Sequence, residues 1–253
     1  MTSTALALVA PRPGLGLGRA WRVLRGPIAA LLAAVVVALE LTIIAVVAFP
    51  LDRAEVVPAA DDPAWARLDE IPAIAVAAVL ESEDDGFYDH GGVELRGLAR
   101  AAWLDARAGR IAFGGSTLSM QVARLRYTHA APRSVARKVR EAILALRLER
   151  ALDKRELLEQ WWNRADFGNG AVGVRAAAAL YFAKPVAALT TGEAVLLACL
   201  PRAPRAYDPF RHLDRARARR DRVLTRLVAR GHLDRAAAAA AAATPLTFTP
   251  APR

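Results

Sequence analysis

Three short stretches carry residue types that do chemistry. The first is Glu83-Asp84-Asp85-Gly86-Phe87-Tyr88-Asp89-His90-Gly91-Gly92, which crowds acids, aromatic rings, one histidine and glycines behind an apolar run, Ile74 to Leu80. A carboxylate at the end of a buried helix sits half-desolvated against packed side chains and suits proton transfer. An exposed acidic loop is the rival reading of the same residues. The second stretch is Gly114-Gly115-Ser116-Thr117-Leu118-Ser119-Met120-Gln121, which sets hydroxyl and amide donors beside a glycine pair and suits sugars or phosphate. The third, Arg137-Lys138-Val139-Arg140-Glu141, sets two cations three and four residues before an acid, on one face of a helix.

Elements must bring these stretches together. Apolar spacing predicts helices over 95–108, closed by Gly109, over 134–151, and over 154–162 with Asp153 as its cap. Further helices are expected over 176–183, 192–200, 215–230 and the alanine run 236–243. Ser116 is placed to open a helix running to Leu125. Asp61-Asp62 is placed to cap a short helix at Pro63. A mobile loop is expected over 127–132, and the Thr/Pro-rich last ten residues read as a frayed tail. No run of strands stands out.

The chain of 253 residues divides into a cytoplasmic tail 1–27, a transmembrane helix 28–49, a membrane-proximal connector 50–64, a catalytic domain 65–235 and an Ala-rich segment with tail 236–253. Residues 28–49 are apolar but for Glu40, and Arg12, Arg19, Arg22 and Arg25 precede them with no acid between. That charge bias puts the N-terminus inside the cell and the rest outside. A cleavable signal peptide is the alternative, disfavoured by the length of the run. Of the net charge of +10, +7 falls beyond residue 50, which suits an anionic membrane or a pyrophosphate. An exported domain would not normally meet nucleic acid. The single cysteine, Cys199, lies in an apolar run and reads as a buried thiol. Only Lys138, Lys154 and Lys184 are lysine among 35 Lys and Arg.

Taken in order, the three stretches resemble the motifs of the peptidoglycan glycosyltransferases, the family 51 enzymes found as monofunctional transglycosylases and as one domain of bifunctional penicillin-binding proteins. Glu-Asp-x-x-Phe-x-x-His-x-Gly is matched by Glu83, Asp84, Phe87, His90 and Gly92, Gly-Gly-Ser-Thr-x-x-x-Gln in full, and Arg-Lys-x-x-Glu by Arg137, Lys138 and Glu141. A fourth pattern is matched by Lys154, Glu159 and Asn163, with Trp161-Trp162 where Tyr-Leu is usual, and Ala183 replaces a common glycine. The resemblance covers about residues 65–235. It implies a mainly α, lysozyme-like domain in two lobes behind one N-terminal transmembrane helix. It implies polymerisation of lipid II, with Glu83 as base on the acceptor 4-hydroxyl and inversion at the anomeric carbon.

The resemblance makes Glu141 the second catalytic acid, placing a metal or a phosphate-binding cation; a salt bridge to Arg137 or Lys138 is its plainer reading. Asp84, Phe87, His90, Gly114, Ser116, Thr117, Gln121, Arg124, Arg133, Arg137, Lys138 and Asn163 are the expected substrate-binding residues, with His90 more structural than catalytic. The residues call for no cofactor and no metal ligand set. At most a divalent cation, Mg or Mn, would sit at the pyrophosphate. Expected partners are lipid II, the growing glycan chain and the membrane, with penicillin-binding or division proteins beside them, and no nucleic acid. The expected location is the bacterial cytoplasmic (inner) membrane, single-pass, with the catalytic domain outside. No Ser-x-x-Lys occurs in the chain, so a monofunctional enzyme is expected. A lytic enzyme acting on finished peptidoglycan and an inactive membrane-anchored scaffold are the rivals. The first would need no pyrophosphate clamp, and the second no intact acids.

Overall fold

The computed structural model describes residues 17–48, 51–56, 62–109, 115–132 and 134–250. Arg12, the breakers Pro50 and Pro58, Asp61, the link 110–113, Gly114 and Arg133 lie outside the described residues. The chain forms two compact units, Met1–Ala48 and Phe49–Arg253.

The first unit is one helix, α1, Leu17–Ala48. It starts eleven residues before the expected span, because Leu-Gly-Arg-Ala-Trp-Arg-Val-Leu-Arg is mostly helix-forming and Pro27 does not break it. Leu31, Val35, Leu39 and Leu41 stand exposed on it. Among the described residues no helix is long and apolar enough to cross a membrane. The expectation of a span over 28–49 therefore rests on the sequence.

The second unit is helical throughout. After α2 (Arg53–Val56) and a 3-10 turn at Leu68–Glu70 come α3 (Ala73–Glu83), α4 (Leu95–Ala108), α5 (Leu118–Ala123), α6 (Val135–Ala151) and α7 (Lys154–Arg164). Then follow α8 (Val174–Phe182), α9 (Thr191–Cys199), α10 (Leu213–Ala229) and α11 (Arg235–Ala243). The only β feature among the described residues is a bridge between Asp166 and Val172.

Local sequence explains most of the ends. Side chains of Ser134, Asp153, Thr190 and Asp234 accept from the backbone amides that open α6, α7, α9 and α11. Asp153 and Thr190 add reciprocal boxes with Glu156 and Glu193. α8 ends on Ala183 in the left-handed region, φ 52°. A glycine would sit there without cost, whereas alanine costs about 1 kcal/mol.

Helix α9 is the centre of packing. Residues Gly192 to Cys199 are all buried, and α3, α8 and α10 lie against them. Cys199 is a core thiol, and burial pushes it up to about 12. A second group forms where α5 packs on α6 and α7. Trp161 and Trp162 fill the space between, with Trp162 stacked on Phe167 at 6.1 Å between ring centroids.

Three local expectations change. Residues 124–128 continue α5 as a wide π turn rather than starting a loop, because Thr128 is buried and its hydroxyl reaches Glu141. Asp62 closes a turn, accepting from Ala64 N at 2.9 Å, and starts no helix. The tail is not frayed over 245–250. Thr249 N donates to Tyr181 O at 3.0 Å, and Phe248 stacks on Phe182 and meets Phe210. Aromatic burial there outweighs the Thr/Pro-rich composition. Phe248→Ala is expected to lower stability by about 1–3 kcal/mol, less than a fully buried ring would lose. Urea unfolding measures it, and an unchanged midpoint would show the tail adds nothing.

Candidate active site

Helix α3 buries Ala75, Ala78 and Val79 and delivers Glu83 at its last turn. The Glu83 side chain is 8% exposed. Gln121 Nε2 lies 3.4 Å from Glu83 Oε2. Arg202 Nη1 lies 3.4 and 3.5 Å from its two oxygens, and Arg219 Nη2 lies 3.8 Å from Oε1. Trp161 Nε1 donates to Gln121 Oε1 at 3.0 Å. That bond settles the amide's orientation and turns its N–H₂ toward Glu83.

The loop after Glu83 is held from several sides. Phe87 is fully buried, and Lys154 Nζ stands 4.4 Å over its ring. The same ammonium donates to His90 O at 2.6 Å and to Glu149 Oε1 at 2.8 Å. Glu149 also accepts from Ser119 at 2.5 Å. Asp84 accepts from Leu118 N at 2.8 Å and lies 3.0 Å from His90 Nε2. Gly92 N donates to His90 Nδ1 at 3.2 Å, which leaves Nε2 as the protonated nitrogen facing Asp84. Burial pushes the Asp84 carboxyl above its ordinary range, opposed by the Leu118 amide, His90 and Lys154. Asp85 is exposed and pairs with Arg230 across the surface, and Asp89 is exposed, both as expected of solvated acids.

The second stretch is bound to the first. Thr117, not Ser116, caps α5: its hydroxyl accepts from Met120 N at 3.1 Å and donates to Gly92 O at 2.6 Å. Gly92 and Gly115 both have positive φ. A Cβ on Gly115 would meet Gly97 O at 2.7 Å, and one on Gly92 would meet the Ala145 backbone at 3.0 Å. Neither position admits a larger residue without a shift. Freed from capping, Ser116 turns its hydroxyl to Lys138 Nζ in a close contact.

The third stretch gathers charge. Glu141 is buried, with Arg137 Nε at 3.4 Å from one oxygen and Lys138 Nζ at 3.9 Å from the other. Both are ionic contacts rather than hydrogen bonds, and Arg137 Nε has no hydrogen-bond partner. Arg137 Nη1 donates to Ala131 O at 3.3 Å. Burial lowers the Lys138 pKa, Glu141 raises it, and the nearby charges of Arg124 and Arg137 lower it further. Arg137 and Lys138 thus face a single carboxylate, with Arg124 near Lys138, an arrangement of cations suited to an anion.

Asn163 stands apart from these groups. Its side chain is spent on Ala66, accepting from N at 2.7 Å and donating to O at 2.8 Å. Glu159 accepts from Trp65 Nε1 and Leu68 N. The fourth pattern therefore pins residues 65–68 and the Phe87 loop. Gly114 and Arg133 lie outside the described residues.

Sequence reasoning missed Arg202, Arg219 and Glu149. Arg219 carried a signal: a charge on the apolar stripe of α10, between Ala216 and Val223. Arg202 and Glu149 carried none, since exposed Arg and Glu are the norm on helices of this composition.

A divalent cation fits poorly here. Among the described residues no three metal-ligating side chains gather, and Glu141 already faces two cations. A lone carboxylate so neutralised makes a weak metal site.

The model of the family described as "Transglycosylase" matches residues 53–228. Penicillin-binding protein 1A of Aquifex aeolicus is 41% identical over 67% of this chain and 23% of its own length. Penicillin-binding protein 1A of Escherichia coli is 41% identical over 66% of this chain and 19% of its own. The chain thus spans about a fifth of the length of these relatives. A crystal structure of penicillin-binding protein 1A from Haemophilus influenzae, 25% identical, superposes over 52% of this chain and 16% of that one with a TM-score of 0.36, too loose to add to the sequence match.

Trp161→Phe keeps an aromatic ring, smaller than indole, and removes the N–H that turns Gln121. Loss of that bond is expected to cost about 0.5–1.5 kcal/mol in the transition state, or roughly twofold to tenfold in turnover. Steady-state kinetics would measure it, and unchanged turnover would remove Trp161 from the site.

Proposed function

We propose that this chain, which belongs to the transglycosylase family and is a peptidoglycan glycosyltransferase, polymerises lipid II into glycan strands. The observation that carries the reading is one buried acid, Glu83, tied through its loop to a cluster of cations around Glu141. Glu83 takes the proton of the acceptor 4-hydroxyl. The hydroxyl oxygen then forms its bond to the anomeric carbon of the growing strand, from the face opposite the leaving group. The bond from that carbon to the lipid pyrophosphate breaks, and the pyrophosphate departs with the electron pair. Arg124, Arg137 and Lys138 stabilise the charge that grows on it. Ser116 holds Lys138, and Gln121 holds Glu83.

The cation cluster favours synthesis over lysis, since cleaving a sugar–sugar bond releases no pyrophosphate. The reading covers glycosyl transfer and leaves out peptide cross-linking, for which these 253 residues hold no Ser-x-x-Lys. The lysozyme-like, two-lobed form expected from the resemblance belongs to the same proposal, supported by the helical character of the domain.

Labelled lipid II incubated with the full, detergent-solubilised chain tests the activity. A glycan ladder is expected with the natural chain and none with Glu83→Gln, which stays folded. A ladder of equal strength from Glu83→Gln would overturn the role of the acid. Cleavage of finished peptidoglycan without a ladder would replace synthesis by lysis.

The inner membrane is the proposed location, with the apolar run 28–49 crossing it. Its exposed leucines and valines would be costly in water and at home in lipid. The flanking arginines hold its start inside. After alkaline carbonate washing of cell membranes, the chain is expected in the pellet. Release into the supernatant would exclude a span.

A further inference from the structure

Helix α10 packs against both α3 and α9, and Arg219 lies on its inward side. The residue is only 9% exposed. Its Nε and Nη2 have no hydrogen-bond partner. A buried cation without compensation would be strongly disfavoured, so its charge must be matched nearby. Among the described residues, the acid recorded within ion-pair reach is Glu83, 3.8 Å away. Cys199 also lies close by, but burial keeps its thiol up at about 12, so it supplies no anion at neutral pH.

We propose that Arg219 is a positioning residue for glycosyl transfer, a buried guanidinium that aims Glu83 by charge attraction without a hydrogen bond of its own to the carboxylate. This rests on the reading of Glu83 as the base. Distance is the core of the argument. A short N–H bond to a carboxylate occupies a lone pair and makes the group a poorer base. At 3.8 Å the attraction persists, but no hydrogen bond forms. Gln121 and Arg202 make only long hydrogen bonds to it, at 3.4 to 3.5 Å. The acid therefore lies near two guanidinium groups and one amide, none of them in a short bond, and stays open to a hydroxyl.

Arg202 cannot do the same work. Its side chain is 56% exposed, where water screens the pair and lets the side chain swing away. Arg219 is confined among packed helices. It reaches the reaction only through Glu83, so its loss should slow the chemical step without weakening substrate binding.

The test uses the full chain in detergent with lipid II. Arg219→Gln is expected to lower kcat by about tenfold or more, with KM for lipid II unchanged within about twofold. Arg219→Lys keeps a charge and is expected to recover part of that loss. Unchanged kcat in Arg219→Gln would overturn the proposal. So would a rise in KM alone, which would mean a substrate contact, or a lysine variant as slow as the glutamine one, which would mean shape rather than charge. If Arg219→Gln does not fold, the double variant with Glu83→Gln decides. Recovery of the folded state on removing both charges supports the pair, and no recovery overturns it. Glu83→Gln alone separates the two readings. If it polymerises normally, the base assignment fails. If it is inactive while Arg219→Gln keeps its kcat, only the present inference fails.

Discussion

The carboxylate of Asp84 joins the two halves of the site. It accepts the Leu118 amide at the start of α5 and faces the Nε2–H of His90 within its own loop. Thr117 answers from the other side by donating to Gly92 O. These contacts lock the end of α3 to the start of α5, so Glu83 and Ser116 are held in one frame. Burial works against the charge of Asp84, and only the ring of donors around it makes a carboxylate acceptable there. Such a group is costly when half-satisfied and rigid when fully satisfied. That rigidity is what a base needs, since the acceptor hydroxyl must meet it within hydrogen-bond reach.

The two other acids of the site, Glu141 and Glu83, face cations in different ways. Glu141 has Arg137 and Lys138 on its own helix, so its pairing follows from local spacing. Glu83 has Arg202 and Arg219, which are more than a hundred residues distant in sequence. The first arrangement gathers cations within one helix, and the second draws them from distant elements. In the proposed reaction the first carboxylate would organise cations for a leaving group, and the second would take a proton.

The residues of the fourth pattern work at a distance from the chemistry. Lys154 ties the Phe87 loop to α6 and α5 through His90 O and Glu149. Glu159 and Asn163 tie down residues 65–68. Trp161 and Trp162, where Tyr-Leu is usual in the family, fill the core between the two packing groups. Trp161 adds one polar contact, to Gln121, that carries the departure from the family pattern into the site. Ala183 shows a departure of another kind, accepting a left-handed backbone where the family commonly has glycine.

Helix positions, most caps and the three motifs were legible in the chain because they depend on neighbours within four residues. Hydrophobic spacing set the helices, Asp153 and Ser134 announced their starts, and Arg137, Lys138 and Glu141 shared a face by period alone. Composition misled at 245–250, where three phenylalanine rings remote in sequence meet, and at Ser116, whose neighbour Thr117 takes the cap because its hydroxyl also reaches Gly92. Which cations surround Glu83, and which way Gln121 turns, were settled only by packing. Arg219 shows in the sequence only as a charge on the apolar stripe of a basic helix. Only the docking of α10 on α3 and α9 strips it of water and leaves Glu83 to balance its charge, because the energy of a buried ion depends on what lies beside it in space rather than along the chain.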